Sequence, residues 1–394
     1  MNRATRWRFN FVRGMAAMAL AALQCGAMAV TLLQPANDDE VLDVLPAVTP
    51  YRPPRQGATA AAANPSVAAL QARQDIAVAR QTGDTRYWGR AQATLTPWWD
   101  HADAPADLAV LQATVQQGRH EFEASRKVLS AVLARTPGHA QGWLNLAALE
   151  RLSARYGASL QACDAVARAG QPLYAQACRI ETQSLQGQHA AAERGLQSLL
   201  VQAGSDDQRS WLLSLLAESQ ERAGRDSAAA EAYRRSLALG PDLYTSIAYS
   251  DLLLRTGKTK QASDILAPLP ETDAVLLRRA AAWRRLGDAR WSTMRVTLRE
   301  RAAELERRGD DPTLHAREMA LVALWLDDDA AGALKLAQRN LQLQREPVDW
   351  WVALQSARAG KDDAAVAEIG KGIQDAGLVD VRLALAPAPA TGRR

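Results

Sequence analysis

Residues 210–241, SWLLSLLAESQERAGRDSAAAEAYRRSLALGP, read as two short amphipathic helices joined by a tight turn. Leu213, Leu216 and Ala217 recur at i, i+3 and i+4, the spacing that a 3.6-residue period places on one helix face. Gly224 with Arg225-Asp226 interrupts that pattern, and glycine accepts the positive φ that a helix stop requires. Ala229, Tyr233 and Leu237 then recur every four residues until Gly240-Pro241 closes the second helix. Ala217 and Ala229 are small enough to let two backbones approach, and Tyr233 fills the groove beside them. One such unit cannot bury its own apolar face, so further copies are expected along the chain.

They are present. Counted from Ser210, the unit resembles a tetratricopeptide repeat, a helix–turn–helix module of about 34 residues. Upstream, Trp143, Leu146, Ala147, Tyr156, Leu160 and Ala167 repeat the pattern, and a further pair turns at Gly187-Gln188-His189. Downstream turns fall at Gly257, Gly287 and Gly360-Lys361-Asp362, with an unusually long second helix expected over 289–308. Trp88, Trp98 and Trp99 mark an atypical first pair, as expected of a repeat that caps an open apolar end. The fold expected is all-α, and the resemblance implies a right-handed solenoid, here of about nine antiparallel helix pairs spanning residues 66–376. With aromatics at 5% and no strand-like run, no separate catalytic domain is expected.

The segments flanking the solenoid differ in kind. Arg3, Arg6, Arg8 and Arg13 precede an apolar run from Met15 to Leu23, and Ala27-Met28-Ala29 supplies small residues before Val30. Residues 1–29 therefore read as a cleavable secretory signal, cut between Ala29 and Val30, which directs the chain to the periplasm or beyond. The alternatives are an uncleaved inner-membrane anchor running to Leu33, and a lipoprotein signal using Cys25, which Gln24 fits poorly. Residues 30–65 form a Pro/Ala-rich linker arm, with one acidic and apolar island from Asp38 to Pro46 that reads as a spacer or a docking segment. Residues 377–394 read as a disordered tail. Removing the signal leaves 43 basic against 43 acidic residues, so the basic pI is a targeting feature and does not indicate nucleic acid. After cleavage the chain is not expected to be an integral membrane protein.

Cys163 and Cys178 remain after cleavage, equidistant from the turn at Gly170-Gln171, so antiparallel helices joined there set them side by side. A disulfide stapling two repeats is expected in an oxidising compartment; two small buried thiols are the alternative. The five histidines are scattered, and four sit at turns or helix ends. No HExxH, Cys/His zinc spacing, calcium loop, GxSxG, GxGxxG or P-loop pattern occurs, so no catalytic residue, metal or cofactor is assigned. Asp327-Asp328-Asp329 follows Trp325 at a turn and reads as the cap of the next helix.

The resemblance implies that first helices line a concave groove that binds peptides or protein surfaces. By position in the repeat, groove residues would be Trp211, Ser214, Glu218, Glu221 and Arg222; then Tyr244, Ile247, Asp251 and Arg255; then Leu277, Ala281, Arg284 and Arg285. Clamp-type binding of a terminal carboxylate is not supported, because Leu144 and Ala148 flank Asn145 where the family's clamp needs Lys and Asn. Ten arginines, at 278, 279, 284, 285, 290, 295, 299, 301, 307 and 308, face only Asp288, Glu300, Glu304 and Glu306 within residues 276–308. Arginine suits planar recognition of carboxylate or phosphate, so this stretch reads as a solvated face or as a patch for an anionic envelope polymer. The function expected is a non-enzymatic scaffold of the bacterial envelope holding a protein or peptide. The alternatives are an accessory to assembly or export of an envelope polymer, and an enzyme whose site no motif reveals.

Overall fold

The computed structural model describes residues 64–307 and 311–384. The signal-like leader with Ala29 and Val30, the arm up to residue 63, Arg308 and the chain from 385 lie outside the described residues. All regular structure among the described residues is helical, and it falls into nine consecutive pairs. These are α1 (Pro65–Thr82) with α2 (Arg86–Leu95), α3 (Ala106–Gly118) with α4 (Phe122–Arg135), and α5 (Ala140–Leu152) with α6 (Tyr156–Arg168). Next come α7 (Pro172–Leu185) with α8 (His189–Gln202), α9 (Asp206–Arg222) with α10 (Asp226–Leu239), and α11 (Leu243–Arg255) with α12 (Thr259–Leu266). The last are α13 (Asp273–Leu286) with α14 (Arg290–Arg307), α15 (Ala316–Leu326) with α16 (Ala330–Leu343), and α17 (Pro347–Ala359) with α18 (Asp363–Asp375). Each helix packs on the next, and the chain is an all-α repeat solenoid.

One local device makes each turn. A residue with positive φ stands between the two helices of every pair: Gly83, His120, Ala154, Gly187, Gly224, Gly257, Gly287, Asp328 and Lys361. After Gly224 the amide of Arg225 reaches back to the Gln220 carbonyl at 2.8 Å, and after Gly257 that of Lys258 reaches Leu253 at 2.8 Å. This closes carbonyls that a helix end otherwise leaves open. In the last turn the left-handed residue is Lys361, while the neighbouring Gly360 keeps a helical φ of −78°.

First and second helices are buried differently. In α9, Leu212 to Ala217 and Ser219 to Arg222 are all buried, because this helix is covered by its own pair and by both neighbours. In α10 only a stripe of Ala229, Ala230, Ala232, Tyr233 and Ser236 is buried, and in the long α14 only Leu298. Ala217, Ala229, Ala262, Ala280 and Ala320 have no exposure at all, which brings helix axes close at successive seams. Tyr233 and Tyr249 stack across one such seam at 5.6 Å. Trp88, Trp98 and Trp99 pack on Ala72, Ile76, Leu95 and Leu111 and cover the first pair. Cys163 in α6 and Cys178 in α7 are joined by a disulfide, their Cα atoms 5.7 Å apart.

The solenoid winds tightly enough to touch itself. At the first turn, the Gly83 backbone lies so close to Thr272, the N-cap of α13, that a Cβ on Gly83 would come within 2.3 Å of Thr272 Cγ2. His120 Nδ1 lies 2.9 Å from the carbonyl of Leu314, just before α15. The Arg345 amide donates to the Leu152 carbonyl at 2.7 Å, just before α17. In each case the turn of one pair meets the entry to the pair six places later, so six pairs complete one superhelical turn.

The chain end continues this series. Residues 377–384 do not form a disordered tail: they fold back onto the fourth and fifth pairs. The Val379 amide donates to the Leu185 carbonyl at 2.9 Å, Leu378 and Leu383 are buried, and Arg382 bonds Glu221 at 2.9 Å. This segment occupies the place where the entry to a tenth pair would stand.

Candidate binding face

The inner face of the first helices centres on α9. Trp211, Glu218 and Arg222 lie on one side of it, spaced by about two turns and then one. Trp211 meets Tyr174 of α7, with ring centroids 5.5 Å apart. Tyr244 of α11 is 62% exposed, and its hydroxyl donates to Glu218 Oε1 at 2.9 Å. Arg222 is buried; its nearest approach to Glu218 is 3.7 Å, and it donates to Ser184 Oγ at 3.1 Å. Glu181 of α7 is paired to Arg151 of α5 at 2.8 Å.

A second superhelical turn brings further charges to the same place. Arg317 of α15 holds Glu346 and Asp349 at 2.6 Å each, and Asn340 donates to Asp349 at 2.6 Å. Burial pushes the Asp349 carboxyl up to about 6. Burial also pushes the Glu218 carboxyl up to about 7, with Arg222 pulling it down and Glu181 and Glu346 adding to the rise. The Glu218 charge holds the Tyr244 hydroxyl well above its ordinary range. Residues from α7, α9, α11 and the entry to α17 thus act on one carboxylate, which is what a concave inner surface produces.

The other expected groove residues lie elsewhere or are already engaged. Asp251 holds the buried Arg278 through two bonds of 2.8 Å. Arg255 grips Asp226 at 2.7 and 2.9 Å and approaches Glu221 at 3.5 Å. Glu221 is raised by burial and sits between Arg255 and Arg382. Arg284 points to the next turn, where it bonds Asp328 and the Trp325 carbonyl, and Arg285 donates to the Leu254 carbonyl at 2.6 Å. Ser214 meets Thr245 at 3.2 Å inside the stack, and Leu277 and Ala281 are core residues. Ile247 is half-buried on α11.

The arginine-rich stretch is not an unbalanced patch. All nine of its described arginines bond or ion-pair with a carboxylate or bond a carbonyl. The partners unseen in the linear count are Asp251, Glu271, Asp273, Asp327 and Asp328, from adjoining loops and helices. Of the aspartate triplet, Asp329 caps α16 at the Gly332 amide, while Asp327 and Asp328 serve these arginines.

Sequence reasoning missed Tyr174, Glu181, Arg151, Arg317, Glu346 and Arg382. Two of these were readable. The same interval, 37 residues, separates Tyr174 from Trp211 and Glu181 from Glu218, so both repeat the inner-face positions of the next pair. The others reach the site from a neighbouring pair or across the superhelical turn, which no local pattern records. Among the described residues no group of three or more His, Cys, Asp or Glu is placed to hold a metal ion, and no helix is long and apolar enough to cross a membrane.

No family model matches the chain, and no curated protein matches it. Among solved structures it is similar to TTC0263, a thermophilic TPR protein of Thermus thermophilus, at 20% identity and a TM-score of 0.39, over 48% of this chain and 100% of that one. It is also similar to the human IFIT1 dimer with PPP-AAAA, at 10% identity and a TM-score of 0.45, over 79% of this chain and 73% of that one. A human IFIT1 dimer with m7Gppp-AAAA aligns at 12% identity and a TM-score of 0.42, over 77% and 80%. These likenesses are distant, and the TPR-like repeat fold of this chain rests on its own nine helix pairs and their packing.

Proposed function

We propose that this chain is a non-enzymatic scaffold of the bacterial cell envelope that holds an extended segment of another protein against the inner face of its superhelix. The observation that carries this reading is the set Trp211, Tyr174, Glu218 and Tyr244, which gathers aromatic rings and a carboxylate on first helices of three successive pairs. Aromatic side chains that stay accessible beside polar anchors are the usual centres of binding energy at protein interfaces. Contacts between superhelical turns close the sides of the interior, so a partner reaches it along the axis, as an extended segment can. The signal-like leader and the Cys163–Cys178 disulfide support an exported location. The polymer-binding alternative is less favoured, because the described arginines of residues 276–307 already have partners.

The test is site-specific photocrosslinking in the native host, with the probe at Tyr244 or, on the outer helix α12, at Lys260. A discrete adduct from Tyr244 that is absent from Lys260 and lost with Trp211→Ala supports the reading. Equal adducts from both positions, or none from Tyr244, overturn it. Fractionation of the same cells tests the location, and recovery of the protein from the cytoplasm would refute it.

A further inference from the structure

Resting on that reading, we infer that the inner face at Glu218 receives one basic side chain of the bound segment, lysine or arginine, seated against the Glu218 carboxylate and the Tyr244 ring. The first ground is the local charge balance. Glu181, Glu218, Glu346 and Asp349 face only Arg151, Arg222 and Arg317. Arg151 is taken by Glu181, and Arg317 is shared by Glu346 and Asp349. Arg222 stands 3.7 Å from Glu218, beyond hydrogen-bond reach, and spends its nearer nitrogens on Ser184. The four carboxylates thus exceed the three guanidinium groups by one, and the only hydrogen-bond donor to Glu218 among the described residues is the Tyr244 hydroxyl.

The second ground is a polar group without a partner. Tyr156 at the start of α6 is 4% exposed, and its hydroxyl has no hydrogen-bond partner among the described residues. The charges acting on it are Arg222 and Glu346, members of the same cluster. Buried hydroxyls are almost always satisfied, so the Tyr156 hydroxyl leaves unused hydrogen-bonding capacity beside the charged cluster.

The third ground is the chemistry of the surrounding surface. An open tyrosine ring beside a carboxylate is suited to a cation, which gains from the ring face and from a charge-assisted hydrogen bond together. Trp211, two turns along α9, and Tyr174 of α7 beside it supply an aromatic wall for a neighbouring residue of the segment. The elevated Glu218 carboxyl fits an incomplete pair, since a cation seated there would hold it ionised. The charged and titratable groups facing Glu218 are Arg222 on its own helix, Glu181 on α7, Tyr244 on α11 and Glu346 at the entry to α17. Of these, Glu218 is the one pushed to about 7, so occupancy by a cation should strengthen as pH rises through neutrality.

The test uses purified protein and fluorescent nonapeptides of a common Ser/Gly/Ala frame carrying Trp beside a central Lys, Arg, Gln or Glu. The expected result is binding of the Lys and Arg peptides about tenfold tighter than the Gln peptide, with the Glu peptide weakest. That preference should widen from pH 6 to pH 8 and vanish in Glu218→Gln, a near-isosteric change whose folding is checked by circular dichroism. Peptides that bind with no dependence on the central residue overturn the basic side-chain assignment and leave the inner-face reading standing. Peptides that do not bind at all, while the Tyr244 crosslink is still obtained, also overturn the assignment. Failure of both measurements removes both readings.

Discussion

Arg317 grips Asp349 with two nitrogens, at 2.6 and 2.9 Å, and the Asp349 carboxylate has no solvent exposure. The same carboxylate accepts from the Asn340 amide and from the Glu346 backbone, so α15, α16 and α17 converge on it. Replacing Arg317 by Met leaves a buried carboxylate without its cation. The expected loss is about 3–5 kcal/mol, the usual consequence of breaking a buried pair from one side. Asp349→Asn, which removes the buried charge instead, should lose less. Urea unfolding of both variants checks the order.

Glu218 predicts a pH dependence of stability. Its carboxyl is raised to about 7 in the folded chain against 4.5 when unperturbed, so the folded state binds more protons than the unfolded one between these values. Stability from this group is therefore fully present below about 4.5 and is lost as pH rises to about 7. The loss is at most about 3 kcal/mol at one pKa unit per 1.36 kcal/mol. Glu218→Gln should flatten this fall, seen as a difference in urea midpoints between pH 5 and pH 8. An unchanged slope would show that Glu218 does not titrate in this range.

Two glycines separate backbone strain from contact between superhelical turns. Gly83 and Gly170 both have positive φ, but only Gly83 faces another part of the chain, with Thr272 Cγ2 at 2.3 Å from an added Cβ. Gly170→Ala should lower stability by about 1 kcal/mol, the backbone penalty alone. Gly83→Ala should lose about 2–4 kcal/mol, because overpacking is added to that penalty. Thermal unfolding of the pair decides it, and equal losses would mean the first and seventh pairs are not in contact in solution.

The Cys163–Cys178 disulfide spans 15 residues of sequence. Loop closure of this length predicts that Cys163→Ala with Cys178→Ala lowers stability by about 3 kcal/mol. Unfolding the wild type with and without reductant should reproduce the same difference.

The helix pairs were legible because their signals are local. Leu213, Leu216, Ala217, Ala229 and Tyr233 sit where the 3.6-residue period put them, and all are buried. Turns at Gly187, Gly224, Gly257 and Gly287 were legible from glycine and that at Asp328 from its aspartates, whereas Ala154 adopts the same φ with no residue-type signal. Of the expected groove set, Trp211, Glu218, Arg222 and Tyr244 come together, because they share or adjoin the inner face of α9 and α11. Arg284 was misplaced, since its position near the end of α13 turns it to Asp328 at the edge of the stack. Residues 377–384 carry no helical period, and only the Leu185 carbonyl and Glu221, far away in sequence, give that segment its place.

An ordinary solenoid gains or loses a module with little consequence, because each module meets only its neighbours. This one has a fixed phase. Excising the α7–α8 pair would still let its neighbours meet, but Leu314 and Arg345 would each arrive one module early, opposite the wrong turn, and Thr272 would meet no turn of the described chain. The number of modules is thus locked to the winding, and this lineage should tolerate change in residues more readily than change in repeat count.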